Sequence, residues 1–197
     1  MRNGKELCRG TFVHSYLNRD YKYEDKNGTE YLIRDGKELC RGTFVHSYDN
    51  GDYKYEYKDG TQYLIRDGKE LCNGLEVCSY NNGDYSYEDK DGIEHLIRDG
   101  KELCRGVDVF SYPNGDYGYW DKNKTQYLMR DGKLLCKGVS VRSFDNGDYE
   151  YKDKDGTHRL IRDGKELCKG IFVFSYKNGN YMYEDKNGTV HYIKGDK

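Results

Sequence analysis

From Tyr53 to Lys58 the chain alternates aromatic and charged residues, with Tyr53, Tyr55 and Tyr57 set against Lys54, Glu56 and Lys58. A period of two puts the rings on one face of an extended strand and the charges on the other, which no helix does. The alternation returns as YKYEDK at Tyr21, YSYEDK at Tyr85 and YEYKDK at Tyr149. Between such stretches sit Asp35-Gly36, Arg41-Gly42, Asn50-Gly51 and Asp59-Gly60. Asn-Gly and Asp-Gly are hairpin signals, because both residues tolerate the positive φ of a type I′ turn. The pattern predicts four short strands, Lys37 to Cys40, Thr43 to Tyr48, Tyr53 to Lys58 and Thr61 to Ile65, in a sheet packed on one side and wet on the other.

The strands belong to a unit that recurs without insertion or deletion, with Arg at positions 2, 34, 66, 98, 130 and 162. Six copies, 2–33, 34–65, 66–97, 98–129, 130–161 and 162–193, make one repeat domain over 1–197, and repeats of this length build propellers, solenoids or arrays. Leu39, Cys40, Gly42, Val45, Ser47, Tyr53 and Tyr55 have identical counterparts in every copy. Gly42 is expected to supply a backbone conformation that a Cβ forbids, and Val45 and Ser47 to allow close approach of sheets. The position of His46 is different, being His14, His46, Cys78, Phe110, Arg142 and Phe174 in turn. A set with no common chemistry is exposed or faces something that changes from unit to unit.

The chain begins its pattern with KELC at Lys5 and ends it at Ile193 on the strand that elsewhere pairs with KELC, so the first strand can complete the last sheet. That offset resembles the closure of β-propellers and implies six short four-stranded blades closed by the N-terminal strand. An open β-solenoid or a continuous twisted sheet is the alternative, since the link at Arg41-Gly42 must cross about 14 Å from an outer strand to the next inner one. In detail, DKDGIEHLIRDGKELC and its copies resemble bacterial WG-type repeats, with Tyr63-Leu64 and equivalents where that family has Trp-Gly. The hairpin is also similar to the YYF-type repeats of glycan-binding solenoids.

Composition narrows the function. The chain is 35% hydrophobic, with 22 Tyr, and its 33 basic and 35 acidic residues leave a net charge of −2. No field draws it to nucleic acid or to an anionic membrane. The start lacks the basic and apolar regions of a leader, which gives a cytoplasmic expectation. Six of the seven Cys repeat at the place of Cys40 without pairing within a unit, so they are expected as buried reduced thiols. No catalytic constellation or cofactor motif is present. Asp89-Lys90-Asp91-Gly92 resembles the end of a calcium loop, but Tyr87 stands where the first Asp belongs.

These observations exclude a recognisable enzyme and predict a binding module or scaffold that presents a rigid β surface to a protein partner. The alternative is a multivalent lectin-like protein using the repeated Tyr53 and Tyr55 positions for carbohydrate. Candidate contacts are Trp120, which is the single Trp and lies near Gly118, and the variable series His14, His46, Cys78, Phe110, Arg142 and Phe174. Trp120 is expected either to anchor a partner or to fold over the space left by Gly118.

Overall fold

The computed structural model describes residues 8–195, all in strands, turns and short links. The first two sheets are built of β1 (Phe12–Ser15), β2 (Tyr21–Glu24), β3 (Glu30–Arg34) and β4 (Lys37–Gly42), then β5 (Phe44–Ser47), β6 (Tyr53–Glu56), β7 (Gln62–Arg66) and β8 (Lys69–Gly74). There follow β9 (Val77–Ser79), β10 (Tyr85–Glu88), β11 (Glu94–Arg98) and β12 (Lys101–Gly106). The rest is β13 (Asp108–Ser111), β14 (Tyr117–Trp120), β15 (Gln126–Arg130), β16 (Lys133–Gly138), β17 (Ser140–Ser143), β18 (Tyr149–Lys152), β19 (His158–Arg162) and β20 (Lys165–Gly170), closing with β21 (Phe172–Ser175), β22 (Tyr181–Glu184) and β23 (Val190–Ile193).

Among the described residues these strands make six antiparallel sheets in sequence order, five of four strands and a last one of three. The protein is therefore all-β, and each sheet begins at the second strand of the repeat and borrows its fourth from the next. A continuous sheet is not what forms, because β4 pairs with β3 and the link to β5 carries a single backbone bond, Thr43 N–H to the Glu56 carbonyl. Of the closing strand expected at Lys5 to Cys8, the first three residues lie outside the described residues. By compactness the chain divides into residues 1–93 with 97–99 and residues 94–96 with 100–197.

The turns differ in type. At Asp35-Gly36 both residues have positive φ, 49° and 76°, as type I′ demands. The Asn50-Gly51 and Asp59-Gly60 turns instead close with Gly51 N–H on the Tyr48 carbonyl and Gly60 N–H on the Tyr57 carbonyl, and only the Gly is left-handed. These are three-residue loops ending in a glycine bulge, which is why the third strand stops at Glu56. Arg41-Gly42 is no turn: Gly42 ends β4.

Within the first unit Leu32 of one sheet packs under Val45, Tyr53 and Ile65 of the next, and Leu64 under Val77, Tyr85 and Ile97. The second unit repeats this with Leu128 under Val141, Tyr149 and Ile161, and with Leu160 against Val173. Each such Leu is fully buried, a contribution of about 2 kcal/mol apiece. The expectation of a wet face is thereby corrected. Lys54 lies on the face opposite Tyr53, yet it is half-buried because its Nζ reaches the Val77 carbonyl of the next sheet, 2.9 Å away.

A bulge between Leu32 and Ile33 pairs Leu32 with Cys40 and Ile33 with Glu38, leaving Leu39 over. Leu39 and Cys40 consequently pack against one cluster rather than on opposite faces. The repeated thiols are free and half-buried, not fully buried as expected. Burial nevertheless pushes Cys40, Cys72, Cys136 and Cys168 up to about 12. The thiolate population then falls about a thousandfold, so in the native state these four are expected to label with a thiol reagent far more slowly than after unfolding. Mass spectrometry of native and denatured samples checks this, and equal rates would refute it.

Candidate interaction surface

Three features recur at one end of the sheets: the turn after the second strand, led by Asp except at Tyr57, the Gly link between sheets, and the residue after that Gly. Asp25, Asp89 and Asp121 each turn Oδ1 back to accept two backbone N–H groups of their own loop, Asp89 from Asp91 and Ile93 for example. The loop hydrogen bonds thus account for Asp at Asp89 without an ion. The residue after the link Gly is an exposed aliphatic in four copies: Leu75 in the first unit and Val107, Val139 and Ile171 in the second, each 46–53% exposed.

In the second unit two open grooves of about 350 and about 390 Å³ lie beside this series. One is lined by Val139, Gly138, Tyr127, Lys124, Lys137 and Lys154. The other carries Gly170 with Arg159, Lys169 and Lys186. The Asp153 carboxylate that borders the first groove is held by Arg159 at 3.0 Å, and Asp185 in the second by His191 at 3.0 Å. Lysines line both grooves, with Val139 in the first and the Asp155 carboxylate in the second. Nothing in the alternation marked this series, because an apolar residue beside a Gly reads as the start of a buried strand.

The candidates named from sequence fall elsewhere. In the first unit His14 is exposed and His46 half-buried, joined through Tyr16, whose ring meets them edge-on at 4.8 and 5.4 Å. Cys78 is half-buried with Sγ 3.9 Å from the Ser79 carbonyl. In the second unit Arg142 is exposed and Phe174 packs edge-on to Phe144 at 5.4 Å. The variable position therefore changes surroundings from copy to copy, and the residues do not gather into one site. Trp120 is half-buried on the face of Gly118, but the space over Gly118 is filled by the Phe110 ring, since a Cβ there would meet Phe110 Cζ at 2.5 Å. Tyr53, Tyr85, Tyr117 and Tyr149 are buried, and Tyr55 stacks on Tyr63 at 5.3 Å.

The sequence reading also passed over a polar latch between sheets. Asp20, 1% exposed, accepts from Arg34 of its own sheet at 2.8 and 2.7 Å and from Ser47 Oγ of the next sheet at 2.5 Å. Asn18 donates to Ser47 and to the Tyr48 carbonyl. Burial alone would raise the Asp20 carboxyl, but hydrogen bonds from Arg34 and Ser47 outweigh it and hold the group below its ordinary range. Asp52 with Arg66 and Ser79, and Asp148 with Arg162 and Ser175, repeat the arrangement. Ser47 thus serves by its hydroxyl, not only by its size.

No family model and no curated protein matches the chain. Among solved structures the chain is similar to the WD40 β-propeller domain of Doa1, at 12% identity and a TM-score of 0.36, covering 90% of this chain and 76% of that one. It is likewise similar to the C-terminal WD40 domain of Sif2, at 12% identity and a TM-score of 0.46, covering 94% and 73%. Neither is a WG-type repeat protein, and both likenesses concern the arrangement of strands alone.

Proposed function

We propose that the protein is a non-enzymatic interaction scaffold whose repeated sheets present the aliphatic series Val107, Val139 and Ile171, with its lysine-lined grooves, to a protein partner. The observation that carries this reading is the exposure of branched aliphatic side chains, 46–51%, at one repeat position where core packing gives them no role. Exposed apolar side chains rimmed by charge favour a partner whose contact segment mixes aliphatic and acidic residues.

Display of a random peptide library against the protein is expected to enrich segments with Asp or Glu beside Leu or Ile. Replacing Val107, Val139 and Ile171 together by Ser is expected to weaken the selected peptides about tenfold or more, with stability changed by only about 0.5 kcal/mol per site, as for other surface positions. Absence of enrichment, or enrichment unaltered in the triple variant, would refute the assignment. Soluble glycans serve as the comparison for the lectin alternative.

A further inference from the structure

At the first four junctions each sheet holds the backbone of a buried valine in the first strand of the next, and the fifth sheet carries different residues at the positions that do this. Glu30 Oε2 accepts the Val45 N–H at 2.7 Å, and Lys22 Nζ donates to the Val45 carbonyl at 3.2 Å while pairing with both Glu30 oxygens at 2.9 Å. Lys54 and Gln62 treat Val77 in the same way. Glu94 accepts from Val109 at 2.7 Å and Gln126 from Val141 at 2.6 Å. On β18 and β19, however, the Lys position is Glu150 and the Glu or Gln position is His158. Glu150 is 6% exposed, its Oε1 lies 3.6 Å from His158 Nδ1, and both Glu150 Oε2 and His158 Nδ1 are buried without a hydrogen-bond partner. A native interior seldom leaves two facing polar atoms unsatisfied unless a proton can settle the matter.

We propose that Glu150 and His158 form a proton-sensitive latch at the seat of the last sheet. Protonated Glu150 donates its O–H to Nδ1 of neutral His158. Loss of that proton to solvent leaves a buried carboxylate without a partner and loosens β21–β23 from β17–β20.

The surroundings supply no substitute. Arg142 faces Glu150 across β17 but is exposed, Cys168 shares the face from β20, and Lys152 and Asp153 flank His158. From the last sheet come Tyr181 and Tyr183, and His191, which is already stacked on Tyr183 and held by Asp185. Burial accordingly pushes the Glu150 carboxyl up to about 7, with Arg142 opposing, and pushes His158 down, with Lys152 and Arg142 adding to it. A carboxyl raised in the packed state stabilises packing fully below its ordinary 4.5, and that contribution is lost as pH rises through about 7. His158, lowered from 6.5, works in the opposite sense and disfavours packing as pH falls below that value.

Hydrogen exchange of β21–β23, corrected for intrinsic rates, reads the latch. Between about pH 6 and about pH 8 opening is expected to rise a few-fold in the wild type, about tenfold in His158→Gln, and to fall in Glu150→Gln, where only the histidine remains to titrate. The double change Glu150→Lys with His158→Glu, which restores the Lys22–Glu30 arrangement, is expected to flatten the dependence. Carboxyl carbon NMR of the wild type provides an independent measure, with one Glu signal titrating near neutrality and absent in Glu150→Gln. Identical pH slopes in all variants, or no carboxyl titrating above about pH 5, would overturn the proposal.

Discussion

Asp20→Ala is expected to lower stability by about 3 kcal/mol, the low end of what removing one partner of a buried ion pair costs. Asp20 is 1% exposed and Arg34 about a third exposed along its side chain, so solvent screens part of the loss on the Arg34 side. The rest comes from donors that lose their acceptor, Arg34 Nε and Ser47 Oγ, whereas Arg34 Nη2 keeps the Gly51 carbonyl and Asn18 Nδ2 the Tyr48 carbonyl. Asp20→Asn should cost less, because the amide oxygen still accepts. The chain uses that residue itself in the last sheet, where Asn180 stands at the Asp position and turns its amide to Tyr192 Oη at 2.6 Å. Since the Asp20 carboxyl is held below its ordinary 3.8, its contribution is present above that value and lost as pH falls through the depressed one. Urea midpoints near neutral pH and in acid check both statements. An Asp20→Ala protein within about 1 kcal/mol of the wild type would show that the latch is ornamental.

The distinction between what the sequence discloses and what it hides follows the same chemistry. Strand positions, the phase of each sheet and the turns at Asp35-Gly36, Asn50-Gly51 and Asp59-Gly60 were legible because period-two alternation and Gly placement are local, whereas Arg41-Gly42 ends a strand. The second packed face was not. Lys22 and Lys54 look solvent-exposed by type, but their stems lie between sheets and only their heads find polar partners, the carbonyls of Val45 and Val77. Asp20 was hidden for the opposite reason: inside an Asn-Arg-Asp turn, an acidic residue is expected on turn grounds alone. The reversal at Glu150 and His158 was in plain view in the repeat comparison, but without the burial that leaves both side chains unsatisfied it carried no message. Trp120 drew notice by rarity, and the ring that fills the Gly118 gap came instead from Phe110 on the neighbouring strand.

Gly42→Ala is expected to be as damaging as the loss of the latch, about 3 kcal/mol, because the space for a Cβ is taken by backbone rather than by a movable side chain. Its φ is not left-handed. A Cβ at Gly42 would fall inside contact distance of the Glu56 carbonyl oxygen and 3.3 Å from the Glu56 nitrogen. That oxygen is the acceptor for the Thr43 N–H at 2.9 Å, the one backbone bond tying the link to the next sheet. Any shift that admits the methyl group must lengthen this bond or tilt β6 away from the Leu32 cluster. The corresponding Gly138 and Gly170 meet the carbonyls of Lys152 and Glu184 in the same manner. Gly51 offers the contrast, with φ of 91° and nothing within 4 Å of its Cβ position. Gly51→Ala therefore incurs only the strain of a left-handed residue, about 1 kcal/mol. Denaturation midpoints of the two single variants decide the issue. If Gly42→Ala is no worse than Gly51→Ala, then the junction yields to a methyl group and sheet spacing is not what keeps glycine at this position.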